Sequence, residues 1–229
     1  MADCVARIAT AERMATITFE PLSAALLDQT AHLHVLHMPR DLASQLGEAV
    51  VRDIFHRGTL EYPGGISVVA RVDGDVAGFC FGHVDFRAFS AFQRRHRLRF
   101  YGSLLPGLVR RPFLLPELFS ARRYLNLCPR FVNLGPLLVT PEFRNARPRD
   151  TEHFSLASEL ARRIFAEVAR QAPVLPVLTM IRPSNLPSIT AVAQAALRSG
   201  YKLRDKFPIH FRNDPRLVFH YRCSAGSKS

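Results

Sequence analysis

The chain has 229 residues, 48% of them hydrophobic, and 31 lysines and arginines outweigh 19 acids to give a formal net charge of +12. That size suits one globular domain, or at most one domain with a large insertion, and the charge draws the chain toward something anionic. Neither a run of about 18 apolar residues nor an N-terminal apolar segment occurs, so neither a spanning helix nor a signal peptide is indicated. Four scattered cysteines (Cys4, Cys80, Cys128, Cys223) without a C-x-x-C pair argue against structural zinc and a disulfide framework and for a reducing compartment.

Residues 1–15 read as a tail before a first strand, "TITFEPL". Two helices follow, "SAALLDQTAHLHVLH" and "DLASQLGEAVVRDIFHRG", the second with Asp41 as N-cap and Gly58 as stop. "ISVVARVDGDVAGFCFGHVDF" holds two β-rich runs around Asp73-Gly74, a dipeptide suited to the positive φ angles of a type I′ turn. Residues 87–130 form a basic insertion, read as two or three short helices broken by Pro106, Pro112, Pro116 and Pro129. Ten arginines and one acid, Glu117, give this stretch +9 of the total +12 (10 − 1 = 9).

"RFVNLGPLLVT" reads as a buried strand. In "TEHFSLASELARRIFAEVARQ", Leu156, Leu160, Ile164 and Val168 recur at the spacing of a helix's inner face. "VLPVLTMIRP" is a further strand, "LPSITAVAQAALRSG" a helix ended by Gly200, and "YKLRDKFPIHFRNDPRLVFHYR" two strands around Asn213-Asp214-Pro215, with 223–229 as a tail. The order is β α α β β (helical insert) β α β α β β.

"LGPLLVTPEFR" resembles the fourth strand of the GNAT acyl-CoA N-acyltransferases, which ends in V-x-P-E-x-R. "IRPSNLPSITAVAQAALRSGYKL" resembles that family's fifth strand, asparagine, helix and terminal Gly-aromatic pair. The resemblance spans roughly residues 16–222 as a single domain. It implies an α/β fold with a mixed, mostly antiparallel central sheet flanked by helices, splayed between its fourth and fifth strands to admit acetyl-CoA or another acyl-CoA. It implies transfer of the acyl group to an amine, without a metal. "MPRDLASQLG" before the second helix resembles a subgroup with Pro and a Leu-Gly pair there, and this with the basic insertion points to a small-molecule or envelope-precursor acceptor.

The family writes R-x-x-G-x-G/A after its fourth strand, where backbone N–H groups at a helix N-terminus face the pyrophosphate. This chain has no glycine there; Thr151 and His153 take the small-residue positions, and Arg144, Arg147 and Arg149 stand upstream. Guanidinium forks suit phosphate, so the arginines are read as replacing backbone donors; the competing reading is a solvated basic loop on a decayed site. Leu138, Val139 and Asn185 fall where the family holds the pantetheine arm.

For chemistry the resemblance points to strand ends, hence His83, Asp85 and Glu142 as candidate bases, beside Asn133. The family's acid, a tyrosine on the fourth helix, falls at about Ala196, leaving Ser188 and Gln194 as polar alternatives. Cys80 and Cys128 read as packing cysteines, and His83 has a competing reading as a core histidine. His32, His34 and His37 do not form a metal site, because positions 32 and 34 point apart on a helix. No P-loop, G-x-S-x-G or H-E-x-x-H motif is present.

Two further readings stand beside the enzyme: a catalytically silent GNAT-like module that binds CoA, an acyl carrier protein or a macromolecule, and a nucleic-acid-binding module. The leucines of 87–130 disfavour nucleic acid and fit an anionic membrane or an acidic carrier protein, or else a lid packed on the domain. The expected location is the cytoplasm, peripherally at the inner face of the membrane.

Overall fold

The computed structural model describes residues 16–124, 128, 130–144, 155–211 and 214–224. Among these residues seven strands form one sheet: β1 (Ile17–Glu20), β2 (Gly65–Val72), β3 (Asp75–His83), β4 (Val132–Val139), β5 (Val177–Ile181), β6 (Tyr201–Phe211) and β7 (Asp214–Cys223). Their spatial order is β1-β2-β3-β4-β5-β7-β6. Among the described residues only β4 and β5 run parallel; every other pair is antiparallel. At the β2–β3 turn Asp73 and Gly74 take φ angles of 51° and 96°, the left-handed pair a two-residue type I′ hairpin requires.

One face of the sheet is covered by α8 (Leu156–Gln171) and α9 (Leu186–Arg198). Leu156, Leu160, Ile164 and Val168 bury the inner stripe of α8 against Ile66, Val132, Leu134 and Val177. Each such side chain contributes about 1.5–3 kcal/mol on leaving water. Ser155 caps α8 by accepting from Ser158 N, and Gly200, at φ 78°, turns the chain from α9 into β6.

The other face carries α1 (Leu27–His37), α2 (Leu42–Leu46) and α3 (Glu48–Val50), which continues through a π-helical stretch (Val51–His56) into α4 (Arg57–Glu61). The sequence predicts a single helix from Asp41 to Gly58. Instead Gly47, at φ 119°, ends α2 in a conformation closed to L side chains, and the following helix passes through Gly58 to Glu61. Gly58 has a packing role: a Cβ there would collide with the Gln93 side chain of the insertion.

The described residues of the insertion form three helices, α5 (Phe86–Arg95), α6 (Arg97–Arg110) and α7 (Leu115–Tyr124). Pro106 lies inside α6 without breaking it. Both Pro106 and Gly102, whose carbonyl loses its helical donor, are exposed, so water can take that bond. Pro112 and Pro116 sit at the starts of a 3-10 turn and of α7, where a missing N–H is harmless. Phe100, Leu104, Leu108 and Leu118 pack the insertion onto Leu46, Val50, Val51 and Ile54.

Candidate functional site

The parallel ladder between β4 and β5 is short. It joins Val132 to Val177, Asn133 to Leu178 and Leu134 to Thr179, and no register pair lies beyond. β4 runs on to Val139, while β5 stays paired with β7 as far as Ile181. The two strands therefore part after Leu134.

The local sequence explains where. Opposite the single β3 residue Phe81, β4 places two, Gly135 and Pro136, between the pairs Gly82–Leu134 and Cys80–Leu137. This is a β-bulge, and Pro136 has no N–H to offer a ladder. Gly135, Pro136 and Leu137 are half-exposed in the middle strand of a sheet with helices on both faces. There the sheet is open to solvent between β4 and β5.

Both parallel strands lead to helix N-termini at this end: β4 precedes α8, and β5 precedes α9 through Asn185. Asn185 Oδ1 accepts from Ser188 N at 3.3 Å, and Pro187 stands in the first turn. Two helix dipoles thus start beyond the C-terminal ends of the splayed strands, where anions are favoured.

Sequence reasoning missed the segment that crosses this opening. Asp41 begins α2 but makes no side-chain cap; its carboxylate meets Arg216 at 3.3 Å and His34 Nε2 at 3.5 Å. Arg216 precedes Leu217, the partner of Ile181, so Asp41 stands at the end of β5. Met38, just after α1, packs on the buried cluster that contains Leu138 of β4. The α1–α2 connection therefore straddles the splay. Burial, the largest influence on Asp41, opposes its charge, but the His34 hydrogen bond and charge, with Arg216 and Arg182, together hold the carboxyl below its usual pKa. No local pattern could announce the Asp41–Arg216 pair, whose partners are 175 residues apart.

A buried chain continues inward from Asp41. His34 Nδ1 lies 3.1 Å from His56 Nε2, and His56 Nδ1 lies 3.0 Å from the Thr30 hydroxyl. Burial first, and the neighbouring His34 charge second, push the His56 pKa well below its ordinary value.

The sequence candidates divide into two groups. Leu138, Val139, Glu142 and Arg144 gather at the end of β4, and Asn185 and Ser188 follow the end of the neighbouring β5. Arg147, Arg149, Thr151 and His153 lie outside the described residues. Glu142 is exposed; its own backbone N–H first, and the Thr140 hydroxyl second, lower its pKa, which weakens it as a base.

His83 and Asp85 are not at the open end. His83 pairs with Asn133, where β4 and β5 still hold together, and its ring stacks on Phe89 with centroids 3.7 Å apart. The Thr59 hydroxyl donates to Phe55 O at 2.7 Å, so His83 Nε2–H donates to Thr59 Oγ1 at 2.9 Å. Burial pushes the His83 pKa down to about 3. These contacts make it a neutral core histidine, not a base facing a cleft. Asp85 is a helix cap: at φ 53° it accepts from Ala88 N, and Arg130 Nε donates to it at 2.9 Å. Cys80 is buried and its thiol is pushed up to about 12, so it stays protonated. Among the described residues no group of histidines, cysteines and acids could hold a metal ion.

The His83 assignment has a pH consequence. The unfolded chain protonates this imidazole near pH 6.5 and the folded chain only near 3, so acidification across that window favours unfolding. The H83F variant keeps the stacking on Phe89 and should show a shallower loss of Tm between about pH 6.5 and about pH 4 than the wild type. Parallel Tm curves would contradict a buried neutral His83.

No protein-family model matches the sequence, and no curated protein matches it significantly. Solved structures do share the architecture. Arabidopsis thaliana NAA60, solved with a bisubstrate analogue, aligns over 91% of this chain and 99% of its own at 15% identity, with a TM-score of 0.50. A Bordetella pertussis protein assigned to the GNAT-family acetyltransferases aligns over 92% and 100% at 16% identity, with a TM-score of 0.51.

The chain has the GNAT fold.

The Salmonella typhimurium protein yncA, assigned as an acetyltransferase and solved with its cofactor acetyl-CoA, also shares the GNAT arrangement, over 93% of this chain and 96% of its own at 15% identity and a TM-score of 0.50. The mixed sheet, its one parallel pair and the flanking helices follow the GNAT expectation raised by "VTPEFR" and "RPSN".

Proposed function

We propose that the chain is an acyl-CoA-dependent N-acyltransferase that uses acetyl-CoA and acylates an amine on a small-molecule or envelope-precursor acceptor by direct transfer. The observation that carries this reading is the bulged, half-exposed stretch Gly135–Leu137, where β4 leaves β5 between two helix N-termini. A thioester held there supplies an activated acyl group. The unpaired edge of β4 beside Leu138 and Val139, with Asn185 opposite, suits a peptide-like pantetheine arm. Arg144, Arg147 and Arg149, with Thr151 and His153 before α8, are proposed to hold its phosphates.

The acceptor enters, in this reading, beneath the α1–α2 connection. Asp41, ionised and held by Arg216 and His34, fixes that connection. The acceptor's ammonium gives one proton to water, the neutral amine forms the C–N bond as the C–S bond breaks, and its second proton also leaves to water. Ser188, half-buried in the first turn of α9, is the proposed donor to the leaving thiolate. Titrating the R147A/R149A double variant with CoA should show affinity at least about tenfold weaker than wild type, since each charge-assisted contact contributes about 1.5–3 kcal/mol. Unchanged affinity would contradict the phosphate role.

A second reading, a silent module that binds the thioester without turning it over, is favoured by Ala196. It stands where the family's acid would, wholly buried in the core, and α9 carries no tyrosine. Mass spectrometry of acetyl-CoA incubated with a panel of amines separates the two. Acylated product supports the enzyme, and binding without product assigns the silent module.

A further inference from the structure

The basic insertion has two apolar faces, and packing consumes only one. Phe100, Leu104, Gly107 and Leu108 point inward from α6, and the fit is close: a Cβ at Gly107 would strike the Leu46 carbonyl. On the opposite side Leu98, Leu105 and Val109, at positions i, i+7 and i+11, form a stripe with Tyr101. They are 93%, 53% and 80% exposed, and Phe113 and Phe119 beyond α6 are exposed too. A lid packed by its apolar side leaves arginines outward, not a leucine stripe.

Charge accompanies the stripe. Arg97 and Arg110 lie at its ends, a quarter-turn or more off its axis, and Arg94, Arg95 and Arg111 are exposed at the adjoining helix ends. A second copy of the chain would set arginines against arginines on this face. Nucleic acid would meet the charge but gives aliphatic Leu98, Leu105 and Val109 nothing to bury into. A surface with anionic headgroups above hydrocarbon satisfies both requirements.

We propose that the outer face of α6 docks on an anionic lipid bilayer, with Leu98, Leu105 and Val109 entering the headgroup boundary and the flanking arginines contacting lipid phosphates and carboxylates. No described helix is long and apolar enough to cross a membrane, so the contact is peripheral. It is independent of the acyl-transfer reading, because it is read out by lipid binding alone.

The test is co-sedimentation of the full chain with vesicles of phosphatidylcholine, or of phosphatidylcholine with about 30% phosphatidylserine. The protein should pellet with the anionic vesicles and less so as salt is raised. The L98E/L105E/V109E variant should partition at least about tenfold more weakly, with an unchanged Tm because these side chains touch little protein. R97E/R110E should reduce the preference for anionic vesicles. Wild-type protein that ignores lipid, or a triple variant that pellets equally well, would overturn the proposal. So would a wild-type dimer, without lipid dependence, that the triple variant abolishes, since it would assign the face to a second copy.

Discussion

Replacing Phe79 with alanine is expected to cost about 3–5 kcal/mol of stability, the range for removing a fully buried aromatic side chain. Phe79 lies on β3, wholly buried and stacked on Phe81 with centroids 4.8 Å apart. Its ring also meets His56 at 5.4 Å and His34 at 6.1 Å. Alanine would leave a cavity beneath two buried histidines. Domains of this kind are stable by about 5–15 kcal/mol, so the loss is a large part of the whole. Leu138 shares this cluster and pairs with Phe79 across the sheet, so the loosening should reach the splay and weaken CoA binding as well. Urea unfolding measures the first effect. A loss below about 1 kcal/mol would contradict the packed aromatic-histidine layer.

The second large effect concerns the splay itself. Gly135→Phe should lower affinity for acetyl-CoA at least about tenfold, which is about 1.4 kcal/mol, while the protein stays folded. A Cβ at Gly135 meets only Phe81 O, at an ordinary contact distance of 3.5 Å, so the fold tolerates a side chain there. The ring would occupy the space between the parting strands. Gly102→Ala is the control: Gly102 lies on exposed α6 with nothing near its Cβ position, and its affinity should equal wild type. If Gly135→Phe binds normally, the cofactor does not lie along the bulge.

Much of the fold was legible because its signals are local. The Asp73-Gly74 turn, the fourfold spacing of Leu156 to Val168 and the Gly200 stop each act within a few residues, and together they give seven strands in the right order. Glycines were misread where their role is not local. Gly58 looks like a helix stop but makes room for Gln93 from the insertion, and Gly47 breaks a helix that periodicity would continue.

The site was legible in part. "VTPEFR" and "RPSN" located the ends of β4 and β5. His83 ends, and Asp85 follows, a strand that runs antiparallel to β4, so they fall at the closed end, under Phe89 and beside Arg130. The Asp41–His34–His56–Thr30 chain was invisible because it forms only when α1, the π-helical turn and β7 are packed together.

The central claim is that the splay between β4 and β5 holds an acyl-CoA, and isothermal titration of the full chain with acetyl-CoA tests it most directly. The account predicts saturable binding at one site per chain, abolished or weakened in Gly135→Phe and matched by a rise in Tm with ligand concentration. Absence of binding heat together with an unchanged Tm at saturating acetyl-CoA would contradict it.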